Sequence, residues 1–396
     1  MTENKLQAIY NELCLTSVFI EVLKKPLIQA FAGYCELSAT EKTAKRKAYA
    51  TFVSEIYRHG ESLTALTQKY LFEDENVYIK ALAAKEQVPS VVEASALREL
   101  AAFSRFGALT TANFAFDLGV SAEEIPGFSS VNADMGTLYL ERARNIDKYG
   151  YGIFSANRMF RLSDSKEIEP IVSADKTEIS QFVGYEAERN KVVENTRAFI
   201  EGRPAANVLL CGDAGAGKSS TVKAVANFFF EKGVRLIELR KDQLCFLPYV
   251  MGKISGNPLK FIIFIDDLSF NQNDDNFSML KAALEGSASA KAENAVIYAT
   301  SNRRHIVKES FADRDGDDVH VNDTLQETLS LSERFGLVVL FSKPDKKLYL
   351  RIVCELARRL GVTMEASQLE LQAEAFALKK GSRSARCAEQ FIKSLL

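Results

Sequence analysis

NVLLCGDAGAGKSSTVKAV, residues 207–225, decides how the rest of the chain is read. A short apolar block, a glycine-rich turn and the opening of a helix follow one another without a gap. That order satisfies G-x-x-x-x-G-K-[ST] in the strand, loop and helix setting the motif requires. Residues without bulky side chains let successive backbone N–H groups curl around a phosphate at the positive end of the helix dipole. Gly212, Gly215 and Gly217 fill that role, with Asp213, Ala214 and Ala216 between them and Ser220 starting the helix proper. Lys218 can bridge β- and γ-phosphates as a fixed cation, and the Ser219 hydroxyl can take one coordination position of Mg2+.

A second apolar block, Phe261 to Ile265, ends in Asp266-Asp267, the Walker B arrangement. Asp266 is expected to hold Mg2+, largely through water. Asp267 stands where a glutamate often polarises the attacking water, and is one methylene shorter. Together the two motifs predict a nucleoside triphosphatase that uses ATP and Mg2+.

Outward from these motifs, blocks at 207–211, 234–239, 261–266, 295–300 and 336–341 alternate with helix-like stretches, which predicts five parallel strands in an α/β sheet covered by helices. Residues 1–148 carry apolar positions at three- and four-residue intervals and read as an all-α N-terminal domain without a catalytic motif. Within it Tyr70, Leu71, Phe103 and Phe106 are assigned to packing. Residues 149–178 lose that period, gain Gly, Ser and charge, and are expected to be a linker. The ATPase core then spans 179–342, and 343–396 return to helical period as a lid.

Composition narrows the class further. At 396 residues the chain exceeds one ordinary core, and its 47% apolar and 26% charged content is globular rather than disordered. A formal charge of −2 names no partner. The six cysteines form no C-x-x-C pair and read as buried free thiols; the three histidines show no metal spacing. No apolar run approaches the roughly 18 residues of a membrane span and no signal segment opens the chain, so a cytoplasmic protein is expected.

The order of P-loop, Walker B, a strand ending in AVIYATSN, then Ser332-Glu333-Arg334-Phe335-Gly336, then a helical segment with Gly381-Ser382-Arg383, resembles the AAA+ superfamily. Within it the chain is similar to the bacterial family catalogued as domain of unknown function 815, through Gly184-Tyr185-Glu186, Asn195-Thr196, DDLSF (266–270), LEGS (284–287), SNRRH (301–305) and GSRSAR (381–386). The resemblance implies that Asn302 is sensor 1, Arg334 a trans-acting arginine finger and Arg383 sensor 2, with Arg386 in reserve. A planar guanidinium suits the charge that spreads over γ-phosphate oxygens. The plainer alternatives are a turn cap for Asn302, a surface arginine for Arg334 and a lid salt bridge for Arg383. Val183, Gly184 and Tyr185 are expected to line the adenine pocket, with core packing as the alternative for Tyr185. Asn271 stands where the family usually carries a glutamate, which points to slow hydrolysis.

A finger acting in trans implies a homo-oligomer. Tyr249-Val250-Met251-Gly252 suggests the pore loop of a threading machine, but Asp266 follows Gly252 by only fourteen positions, so Tyr249 is assigned to the core. The favoured reading is a remodeller or loader whose client, a protein or a nucleic-acid complex, is unidentified. The segment 343–396 carries eleven Lys or Arg against six Asp or Glu, a weak pointer to phosphate backbones. The alternative is a nucleotide-gated switch or scaffold with slow or no hydrolysis.

Overall fold

The computed structural model describes residues 5–268, 280, 284, 292–302 and 334–396. Two compact units divide it, Met1–Ala156 and Asn157–Leu396. In the first, ten α-helices are described, from Lys5–Leu13 to Ile146–Tyr149. Their apolar faces meet around a cluster of aromatic rings: Phe31 lies 5.0 Å from Phe106, and Phe52 lies 5.1 Å from Phe114. Phe103, Phe106, Tyr70 and Leu71 are all buried, as their helical spacing requires. Buried Glu99 accepts the backbone N–H groups of Ser17, Val18 and Phe19, closing the turn before the helix Ile20–Leu23.

The second unit is an α/β fold on a parallel-dominated sheet. Its strands are β1 (Met159–Leu162), β2 (Ile168–Pro170), β3 (Val208–Gly212), β4 (Val234–Leu239), β5 (Lys260–Ile265), β6 (Ala295–Ser301) and β7 (Leu337–Phe341). They lie in the order β2-β1-β4-β5-β6-β3-β7. Among the described residues only β1 and β2 pair antiparallel. The five expected blocks form strands where their runs of Val, Ile, Leu and Phe predict them; β3, β4, β5 and β6 are buried on both faces, whereas the edge strand β7 exposes Val338 and Leu340.

The expected five strands are thus seven. β1 and β2 fall in 149–178, the stretch read as a linker. They are too short to show a period, yet Met159, Phe160 and Leu162 are buried, and the hairpin closes through Ser163 N–H to Glu167 O at 2.8 Å. The helices Lys346–Leu360, Ala366–Lys380 and Ala385–Lys393 pack around Tyr349, Val353, Ala373 and Ala388.

Two smaller expectations also change. Tyr249 is not core but 38% exposed, because the helix Leu247–Ile254 buries Leu247, Val250 and Ile254 on its other face. YVMG is therefore helical and not a loop. Cys14, in the turn after the first helix, and Cys245 are exposed and Cys354 is half-buried rather than buried; among the described residues the cysteines are free thiols. Among the described residues no helix is long and apolar enough to cross a membrane.

Candidate functional site

Parallel pairing brings the carboxyl ends of β3, β5 and β6 to one edge. Cys211 lies opposite Ser301, and Ile265 opposite Ala299, so the residues that follow, Gly212, Asp266 and Asn302, are neighbours. Gly212 has φ 139° and approaches β7 so closely that a Cβ there would sit 2.0 Å from Phe341 O. No other residue fits. Gly217, with φ 88°, caps the helix Lys218–Phe228, offers no side-chain cap and has nothing within 4 Å of where a Cβ would stand. The N–H groups of the first helical turn have no intrahelical acceptor, the cradle a phosphate group fits. Ala216 is buried, Ala214 exposed, and Asp213 and Ser220 half-buried along this loop.

Lys218 is nearly buried, and its ammonium uses all three protons: Gly212 O, Asp213 O and Asn302 Oδ1 each accept at 2.8 Å. Burial lowers its pKa, opposed by the nearby Cys211, Asp213, Asp266 and Asp267.

Asp266 Oδ1 accepts from Ser219 Oγ at 2.6 Å, Thr300 Oγ1 at 2.6 Å and Asp267 N at 3.1 Å. Its Oδ2 makes no hydrogen bond among the described residues. One carboxylate and one hydroxyl, both hard oxygen donors, are what Mg2+ needs from a protein when phosphates and water complete its octahedron. Among the described residues no cluster of three or more His, Cys, Asp or Glu offers a dedicated metal cage. Asp267 leaves the strand with φ 52°, and its Oδ1 accepts from Asn302 Nδ2 at 2.7 Å. Asn302 thus links Lys218 to Asp267. Thr300, unremarked in the sequence, completes the network.

The two C-terminal arginines stand in different surroundings. Arg383 forms a bidentate pair with Glu374, Nε to Oε1 at 3.0 Å and Nη2 to Oε2 at 2.7 Å, which is its salt-bridge alternative. That pair holds the Glu374 carboxyl below its usual range. Arg386 instead meets the P-loop: its N–H points to Gly215 O at 3.4 Å, and a Cβ on Gly215 would lie 3.1 Å from Arg386 Cβ. The side chain of Arg386 is exposed and carries no ion pair among the described residues.

Arg334 is half-buried just before β7. β7 is at the sheet edge and pairs directly with β3, so Arg334 is separated from the P-loop along the strand rather than across the sheet. Tyr185 packs against Phe341 and donates to Ser342 O at 2.6 Å. Gly184, at φ 77°, is closed in by Leu348, and Val183 packs on the C-terminal helices. Asn271 lies outside the described residues, as do most of SNRRH and LEGS.

A family model described as "Protein of unknown function (DUF815)" matches residues 155–396, more than half of the chain. No curated protein matches. Among solved structures, the chain is similar to the Thermotoga maritima RuvB Holliday junction branch migration motor, at 13% identity and TM-score 0.34 over 56% of this chain and 72% of that one. It is also similar to AMPPCP-bound DnaA from Aquifex aeolicus, at 17% identity and TM-score 0.36. That match covers 56% of this chain and 64% of the other, somewhat under two thirds. Nothing about this chain's activity follows from scores at that level.

Proposed function

The chain belongs to the family described as Protein of unknown function (DUF815), and on that premise we propose that it is a Mg2+-dependent ATPase of AAA+ type whose ATP cycle remodels or loads a macromolecular client. The observation that carries this reading is the continuous bonding of Ser219, Asp266, Asp267, Asn302 and Lys218 at one edge of the sheet, beside the P-loop.

In this reading the N–H groups of the loop and Ser220 receive the phosphates, and Lys218 exchanges its carbonyl and Asn302 acceptors for β- and γ-phosphate oxygens. Ser219 and Asp266 hold Mg2+, which supplies charge neutralisation on those oxygens when bound. Asp267 polarises the attacking water, and Asn302 orients Asp267. Arg386, seated on Gly215, is the better placed of the two C-terminal arginines to meet the γ-phosphate; Arg383 stiffens the helices that present it. Val183, Gly184 and Tyr185 border the adenine.

Arg334 serves the neighbouring subunit. β3 and β7 run parallel, so the residue before β7 and the loop after β3 stand at opposite ends of strands about 17 Å long. A finger at that end completes a site only in a head-to-tail homo-oligomer. A cytoplasmic site of action and a protein or nucleic-acid client are parts of the same proposal. One observation favours the second reading, a switch with slow or no hydrolysis: Asp267 Oδ1 is already engaged by Asn302 Nδ2 at 2.7 Å.

Asp267→Asn tests the reading. The variant should bind ATP as the parent does, gain mass with ATP in light scattering, and lose turnover by about 10²-fold or more. An Asp267→Asn protein that hydrolyses at the parent rate contradicts the motor, and a parent that binds ATP without turnover favours the switch.

A further inference from the structure

We infer that Thr300 is a positioning residue of this site, holding the adjacent carboxylates Asp266 and Asp267 to two separate tasks; the inference rests on the ATPase reading above. Thr300 lies on β6, is 2% exposed, and uses its hydroxyl in both directions at once. Oγ1 donates to Asp266 Oδ1 at 2.6 Å and accepts from Asp267 N at 2.9 Å. A hydroxyl has one proton to give and lone pairs to receive, so one group serves both bonds.

The arrangement answers a geometric problem. Successive side chains of an extended strand point to opposite faces, so Asp266 and Asp267 cannot both face the P-loop if β5 simply continues. The chain turns instead at Asp267, in a left-handed conformation that costs a residue with a Cβ. Thr300 offsets that cost by receiving the Asp267 N–H, and its own carbonyl receives Leu268 N–H at 2.7 Å, so the turn is held at two successive peptides. From there Asp267 reaches Asn302, two residues beyond Thr300 on the same strand. Meanwhile Asp266 Oδ1 is saturated by Ser219, Thr300 and Asp267, which leaves Oδ2 for the metal or its water. Such a partner orients a ligand without touching the metal, and its loss typically costs about 10- to 100-fold in metal affinity or activity.

The test compares Thr300→Val, which keeps the branched shape and removes the hydroxyl, with Thr300→Ser, which keeps the hydroxyl. Titration of Mg2+ into protein holding a non-hydrolysable ATP analogue should show affinity about tenfold weaker or more for valine, and kcat lower by about 10- to 100-fold. KM for ATP should move by less than about threefold, and serine should recover most of both losses. If the valine protein does not fold, Thr300→Ala carries the same expectations. A valine variant with lower melting temperature but parental Mg2+ affinity and kcat overturns the inference and leaves the ATPase reading intact. A parent chain without turnover overturns both.

Discussion

Lys218 Nζ donates to Asn302 Oδ1 at 2.8 Å, so the P-loop cation and the residue at the end of β6 are directly joined. The same amide donates from Nδ2 to Asp267 Oδ1, which places Asn302 between the group that meets phosphate and the group that polarises water. Lys218 must leave this bond to reach a phosphate, whereas Asp267 keeps its own. Asn302→Ala should therefore lower kcat by about 10- to 100-fold while ATP affinity changes little, because only the oriented carboxylate is lost. Steady-state rates beside calorimetric affinity measure the split; an equal loss in both would place Asn302 in ground-state binding.

The two C-terminal arginines should separate by assay. Arg383→Ala breaks the pair with Glu374, a carboxylate that also has Lys346 at 3.7 Å, and should lower the melting temperature slightly with modest effect on turnover. Arg386→Ala should leave the melting temperature near the parent value and reduce turnover, since its neighbour is the P-loop. Thermal melting and kcat on the two variants check this, and the reverse pattern would restore Arg383 as the phosphate sensor.

Arg334 should act on a neighbour's nucleotide. Arg334→Ala and Lys218→Ala are each expected to hydrolyse poorly, with the finger variant down by about 10³-fold. Mixed together, they should recover part of the parent rate, because some interfaces then pair an intact P-loop with an intact finger. A mixture no more active than its parts, or an Arg334→Ala protein with the parent rate, would remove the trans-acting site.

What could be read before any coordinates were the contiguous signals. Residues 207–219 carry strand, turn and helix start in one run, and Phe261–Asp267 carries an apolar strand with its acids, so both ends of the site are local. β1 and β2 were illegible because strands of four and three residues show no period; pairing of β1 with β4, and of β2 with β1, makes them strands. Thr300 reads as one more β-branched strand residue, and only the register that sets β6 between β3 and β5 brings its hydroxyl to Asp266. Arg383 lies in the loop before the last helix and Arg386 three residues on in its first turn, a difference that the position of Glu374 and Gly215 decides and that spacing does not.

The most direct test of the central claim is single-turnover hydrolysis of ATP by the purified full chain with and without Mg2+, run beside Lys218→Ala, with circular dichroism to verify folding. The parent should convert bound ATP to ADP only with Mg2+, and Lys218→Ala, at the first residue of a helix and keeping a good helix former there, should still fold but neither bind nor hydrolyse ATP. A folded Lys218→Ala protein that binds ATP with parental affinity, or a parent that binds none, would contradict the account.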